Sequence, residues 1–198
     1  MKKIKQERTL VLMKPDGVMR GLTGDVIKRI ERRGLKVVAL KMVQVDRAHL
    51  ENHFPKENSW VERLGEKGLK TFAEYKLDPK QHMGTADKKE IGKVVKESLF
   101  DYMTSGPVVA MVIEGIHAID MVRKLAGHTL PAFADMGTIR GDFSVDSPAV
   151  ANVEKRAVKN IMHASETPEE AKNEIDLWFK KDEIHDYKRS EQSVAFDA

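Results

Sequence analysis

The chain has 198 residues, 41% hydrophobic and 33% charged, the composition of an ordinary globular protein and not of a disordered one. It has no cysteine, which excludes disulfides, thiolate metal sites and cysteine nucleophiles and fits a reducing compartment. Its 34 basic and 31 acidic residues leave a formal charge of +3, too small for a general nucleic-acid or membrane field, so any polyanion site must be local and no specific nucleic acid is expected.

The stretch Met1 to Arg8 carries charges with no apolar segment behind them, and the longest apolar run, Val108 to Ile113, is far too short to span a bilayer. A cytoplasmic protein without membrane contact is expected. Thr9-Leu10-Val11-Leu12-Met13-Lys14 reads as a buried strand that stops at the turn Pro15-Asp16-Gly17 and leaves Lys14 at its end. Thr23 or Asp25 is the expected cap of a helix with Val26, Ile27 and Ile30 inward, ended by Gly34. Leu35 to Val45 alternates as a second strand, and a short helix is expected from Arg47 to Phe54.

From Pro55 to about Ile91 the chain turns to Lys, Glu, Gly and Pro with scattered Trp60, Leu64, Leu69, Phe72 and Tyr75, an insertion expected to hold short helices. Lys88 to Met103 recovers a helical period, broken at Gly106-Pro107. Val108 to Glu114 is the clearest buried strand, followed by a helix from Ala118 to Ala126. Gly127 to Ser147 is a loop rich in possible phosphate contacts, and Ser147-Pro148 opens a helical stretch that ends near Asn160. A short strand near Ile161-Met162, a helix from Pro168 to Phe179 and a polar tail from Asp182 to Ala198, expected to wrap the surface, complete the chain. The order β-α-β then β-α-β is the split pattern of a ferredoxin-like α/β sandwich, an α+β fold. No linker or internal repeat divides the sequence, so one domain over 1–198 is expected.

Chemistry points first to His163. A histidine between a short apolar step and a helix start can present a neutral imidazole to a cleft and attack phosphorus. Ser165 and Glu174 are its natural supports, the carboxylate orienting the ring from the next helix. On this motif alone a capping or core role is the commoner reading. No P-loop, Gly-x-Gly-x-x-Gly or His-Glu-x-x-His occurs, so phosphate must be held by side chains. Lys14, Arg123, Thr129 and Arg140 stand at strand ends, helix faces or loops from which they can converge on one triphosphate.

The segments Glu7-Arg8-Thr9, Lys14-Pro15-Asp16-Gly17-Val18, Arg20-Gly21-Leu22, Ser105 to Val112, Gly137 to Phe143, Asn160 to His163 and Glu174 to Phe179, in this order, resemble nucleoside diphosphate kinases over nearly the whole chain. The resemblance implies a ping-pong phosphotransferase with a four-stranded antiparallel sheet covered by helices. It makes His163 the nucleophile, supports it with Glu174, Ser165 and Lys14, and assigns Lys14, Arg123, Thr129, Arg140 and Asn160 to phosphate and ribose. Magnesium is expected to be carried by the nucleotide phosphates, with no metal site of the protein's own. A homo-oligomer is implied, a hexamer before a tetramer or dimer, with Pro131 in the oligomer-forming loop.

Departures from the family pattern are equally specific. Phe54 stands where a tyrosine hydroxyl usually meets the active-site lysine, Ala164 replaces a glycine after the histidine, and His128 replaces an acidic residue. Insertions fall at about 55–91 and 146–159. The family's base-stacking phenylalanine aligns with Val95, so the clamp is expected there or from Trp60, Phe72 or another aromatic. The alternative function is a nucleotide-binding regulatory protein of the same fold with weak or no turnover.

Overall fold

The computed structural model describes residues 6–190. Strands β1 (Gln6–Met13), β2 (Lys36–Val43), β3 (Val108–Ile116) and β4 (Met162–Ala164) form one sheet in the order β2-β3-β1-β4, with every neighbouring pair antiparallel. Each β-α-β unit leaves a gap between its strands that a strand of the other unit fills. This is the expected ferredoxin-like arrangement. Thr9 to Met13 and Val108 to Ile113 are almost wholly buried because both faces of the central strands are covered, which is why they read as unbroken apolar runs. Alternate residues divide between two cores: Leu10 and Leu12 pack with Phe100, Val112 and Trp178, while Val11 and Met13 pack with Ile30, Met111, Ile113 and Val122.

The turn expected at Pro15-Asp16-Gly17 is a helical turn, α1 (Pro15–Met19), with proline at its start. Helix α2 (Thr23–Arg32) begins from Leu22, and neither Thr23 nor Asp25 caps it. Its entry is fixed by main chain instead, Leu22 N–H donating to Gly17 O at 3.0 Å. Helix α3 (Arg47–His53) is capped by Asp46, whose carboxylate accepts from His49 N–H at 2.7 Å.

The first insertion is not a set of short helices. It holds the 17-residue α4 (Asn58–Glu74), then α5 (Pro79–Met83), and leads into α6 (Lys88–Thr104). Helices α4 and α6 cross at Gly65 and Gly92, where an added Cβ would lie 1.7 Å from Lys88 O and 2.1 Å from Val61 O, so only glycine admits this approach. Phe72, Met83 and Ile91 fill a third apolar cluster beside the crossing.

Helices α7 (Ala118–Ala126), α8 (Ile139–Phe143) and α10 (Pro168–Trp178) carry the second half, with a 3-10 turn at Pro131–Phe133. In the second insertion α9 (Pro148–Val153) is shorter than the expected helix, and Lys155 turns the chain with φ of 51°. Helix α9 packs on α4 and α5, so the two insertions, far apart in sequence, meet in space. Asp146 closes the second one, accepting from Lys159 N–H at 2.7 Å while pairing with Arg156 at 2.6 Å, and Ser144 Oγ donates to Lys159 O at 2.7 Å. The described part of the tail follows β2: His185 N–H donates to Val38 O and the Tyr187 hydroxyl to Val37 O, both at 2.8 Å, whereas 191–198 lies outside the described residues. Among the described residues no helix is long and apolar enough to cross a membrane.

Candidate active site

His163 lies on β4 opposite Leu12, its side chain 23% exposed toward the cleft. Helix α10 starts at Thr167, whose hydroxyl accepts from Glu170 N–H, with Pro168 at the first position, and this entry points Glu174 inward. Glu174 Oε1 is 2.7 Å from His163 Nε2, and its Oε2 accepts from Ser165 Oγ at 2.6 Å. Ser165 Oγ in turn accepts from Leu10 N–H at 3.2 Å, which ties the pair to the centre of the sheet. Burial works to raise the Glu174 carboxyl, but hydrogen bonds from His163 and Ser165 and the nearby imidazoles outweigh it and hold it below the usual carboxylate range. The Nδ1 nitrogen of His163 is therefore the one turned away from the carboxylate.

A second histidine completes this corner and was not among the residues singled out from sequence. His53, at the end of α3, stands edge-on to His163 with ring centroids 5.0 Å apart. Its Nδ1 is 3.5 Å from Glu174 Oε1 and accepts from Trp178 Nε1 at 3.3 Å. Burial first, and His163 beside it, push its pKa down to about 3, so it is neutral at physiological pH. Its only sequence signal was a histidine closing a helix next to an aromatic, which core packing explains equally well.

The phosphate side is built on Lys14, at the end of β1 where α1 begins. Its Nζ donates to Asn160 Oδ1 at 2.7 Å and lies 5.6 Å from the centroid of the Tyr102 ring. Burial, with Arg140 nearby, brings this ammonium down to about 8 against the pull of Asp16. Phe54 thus leaves Lys14 positioned by Asn160 and Tyr102. Asn160 Nδ2 donates to Thr129 O at 2.9 Å, which draws the exposed Thr129 to the same place.

Arg140 is buried and donates to Asn160 O, Gly127 O and Met162 O at 3.1, 2.8 and 2.7 Å. Three of its five N–H groups are thereby spent on framing the loop and the strand entry, leaving two for an anion. Arg123 is 47% exposed on α7 and lies 3.8 Å from Glu166. Asp16 accepts from the Tyr102 hydroxyl at 2.5 Å and from Ile161 N–H at 3.2 Å. That grip holds Ile161 at φ of 71°, a costly conformation for a β-branched residue, directly before the histidine strand. Ala164, by contrast, lies in regular β4 paired with Val11, so the glycine it replaces is not needed for a positive φ.

His128 organises its own loop, its Nδ1 accepting from Leu130 N–H at 3.1 Å. Val95 is not gathered with Lys14 and Asn160 but packs on the Phe72, Met83 and Ile91 cluster. Phe72, 1% exposed, is core and cannot clamp a base. Trp60 stacks on Phe54 at 5.6 Å, and Phe54 on Phe100 at the same distance, an aromatic column next to His53.

The arrangement provides an imidazole oriented by a carboxylate beside a cluster of cations, and comparison with known proteins agrees with it. A family model described as "Nucleoside diphosphate kinase" matches residues 7–61 and 56–184. A nucleoside diphosphate kinase of Pyrobaculum aerophilum is 48% identical over 178 residues, 90% of this chain and 97% of that protein. One from Archaeoglobus fulgidus is 40% identical over 191 residues, covering 96% and 98%. In structure, an NDP kinase from Pyrobaculum aerophilum superposes with a TM-score of 0.87 at 46% identity, covering 92% of this chain and 100% of that one. The Borrelia burgdorferi nucleoside-diphosphate kinase, a transition-state mimic with bound vanadate and ADP, superposes with a TM-score of 0.78 at 37% identity, covering 96% of both. Sequence, fold and matched length agree that this chain belongs to the nucleoside diphosphate kinase family and is a phosphotransferase acting on nucleotides.

Proposed function

We propose that transfer runs through a phosphohistidine on His163, in two half-reactions of a ping-pong cycle. The Nδ1 lone pair attacks the terminal phosphorus of a nucleoside triphosphate, the bond to the bridging oxygen breaks, and the diphosphate leaves with that electron pair. The imidazole becomes cationic as it gains phosphorus, and Glu174 faces its Nε2–H from 2.7 Å, the observation that carries this reading. A second diphosphate then takes the phosphoryl group by the reverse step. Ser165 fixes Glu174, Lys14 and Arg140 meet phosphate charge, and Arg123, Thr129 and Asn160 complete the phosphate and ribose contacts.

Family membership implies a divalent metal, and the donors around Lys14 suit one that arrives with the nucleotide. Lys14, Arg140 and Arg123 repel a cation, and both oxygens of Asp16 are already engaged. Magnesium, which prefers oxygen ligands and retains water, would therefore bind the substrate phosphates and neutralise their charge during transfer. The enzyme works in the cytoplasm as a homo-oligomer, hexameric in the first instance. Exposed Phe133, Met136 and Val145 near Pro131 support this as surface that an assembly covers. One domain carries the activity, the insertions adding only a cover of helices.

The test is incubation of wild-type and His163→Ala protein with γ-labelled ATP and magnesium, without acceptor. Acid-labile, base-stable label on wild type alone, discharged by a nucleoside diphosphate, is the expected result. Labelling or turnover retained by His163→Ala overturns the assignment.

A further inference from the structure

We propose that His53, His163 and Glu174 form an inhibitory site for a zinc-type transition-metal ion, distinct from the magnesium that accompanies the nucleotide. The donor atoms of these three residues all lie within 4.8 Å of one another. Two of the separations are 2.7 Å, from His163 Nε2 to Glu174 Oε1, and 3.5 Å, from His53 Nδ1 to the same oxygen. Ligands of a tetrahedral zinc ion, with metal–ligand distances near 2.0–2.2 Å, stand about 3.3 Å apart, so both of these separations lie within an ångström of the spacing between two corners of such a site.

The electrostatics are unusual without a cation. The single lone pair of His53 Nδ1 accepts from Trp178 Nε1–H at 3.3 Å, yet Glu174 Oε1 also lies 3.5 Å from that nitrogen, so two acceptors face each other and a metal ion at Nδ1 takes the place of the Trp178 hydrogen bond. The His53 and Glu174 side chains are only 3% and 7% exposed, so water screens this opposition little. His163, at 23% exposed, opens the fourth corner to the cleft, where water or a phosphate oxygen can complete the coordination. Two imidazole nitrogens and one carboxylate select zinc, cobalt, nickel or copper over magnesium.

The inhibitory consequence rests on the assignment of Nδ1 as the attacking atom. In the productive tautomer Nε2 carries the proton and Nδ1 the lone pair. Zinc binding at Nε2 replaces the N–H bond there with a metal–nitrogen bond. The released proton is taken up at Nδ1 through water, and the imidazole remains neutral with its attacking lone pair gone.

The experiment measures zinc binding by competition with a chromophoric chelator, and phosphoenzyme formation in excess magnesium with and without zinc, on wild type, His53→Phe and His163→Asn. One equivalent of zinc per wild-type chain is expected, with affinity falling at least about 10-fold in each variant, a loss that even outer-shell changes produce. Zinc should slow labelling of the wild type at least 10-fold, and a zinc-selective chelator should restore it. Should His53→Phe fail to fold, cobalt gives the readout on wild type: strong visible absorption of a tetrahedral ion, abolished by zinc and absent in His163→Asn. Zinc binding unaltered by both substitutions overturns the site, and tight binding at the triad with undiminished labelling overturns its inhibitory role. A wild type that never becomes labelled, even without zinc, refutes the phosphohistidine assignment instead and leaves the binding result standing.

Discussion

Nε2 of His163 and Oε1 of Glu174 are 2.7 Å apart, and the carboxylate cannot swing away because Ser165 holds its other oxygen at 2.6 Å. Glu174→Ala removes both the orientation of the ring and the charge that faces it during transfer. The expected loss in kcat is about 10- to 10⁴-fold, the range of a positioned acid–base group. Steady-state kinetics check this, and an unchanged kcat would remove Glu174 from the mechanism.

Tyr102 and Asp16 make a buried hydrogen bond beneath the lysine, and burial together with the Asp16 charge pushes the phenol well above its usual pKa. Tyr102→Phe leaves one Asp16 oxygen without its donor. A loss of about 1–3 kcal/mol in unfolding free energy is expected, read by urea denaturation at fixed protein concentration. A stability equal to wild type would show that the bond contributes nothing.

Lys14 titrates near 8 in the folded protein, down from 10.5, through burial and Arg140. The sign is that of a depressed base: folding disfavours the charged form, so this group's contribution to stability rises as pH climbs from about 8 towards 10.5. Its effect on substrate runs the other way, because phosphate meets a neutral amine above pH 8. The kcat/KM for a nucleoside triphosphate is expected to fall above about pH 8, and the fall should be absent in Lys14→Arg, whose guanidinium stays charged. A wild-type profile flat to pH 10 sinks this prediction.

At the α4–α6 crossing, Gly92→Ala drives a Cβ to 2.1 Å from Val61 O, and main chain must move. A destabilisation of at least about 1–3 kcal/mol is expected from the overpacking. Gly24→Ala in α2, where nothing lies within 4 Å, is the matched control and should stabilise by about 0.4–1 kcal/mol. Thermal melts of the two variants shifting in the same direction would count against the steric account.

Much of this was legible because the decisive signals are local. Unbroken apolar runs such as Val108 to Ile113 announce strands covered on both faces, Lys14 and Ser165 stand directly after a strand, and Glu174 falls within the helix that Thr167-Pro168 opens. What was hidden depends on distant partners. Gly65 and Gly68 lower the helical reading of α4, yet Gly65 is where that helix touches α6. Phe72 looked like a spare aromatic until Met83 and Ile91 enclosed it, and His53 acquires its role only when α3 meets β4 and α10. The positive φ of this segment falls on Ile161 and not on Ala164, because the grip of Asp16 is made across 145 positions of chain.

The clasp that Asp146 and Ser144 place on Lys159 separates the second insertion from the catalytic frame. Chain leaves and re-enters at one point, immediately ahead of Asn160. Between the two ends, Arg156 pairs with Asp146 and α9 packs on α4 and α5, so the loop is pinned at its base and along its helix while the catalytic frame behind the clasp keeps its register. Segment 147–158 is in this sense an appendage with its own anchor, held apart from the residues that meet phosphate.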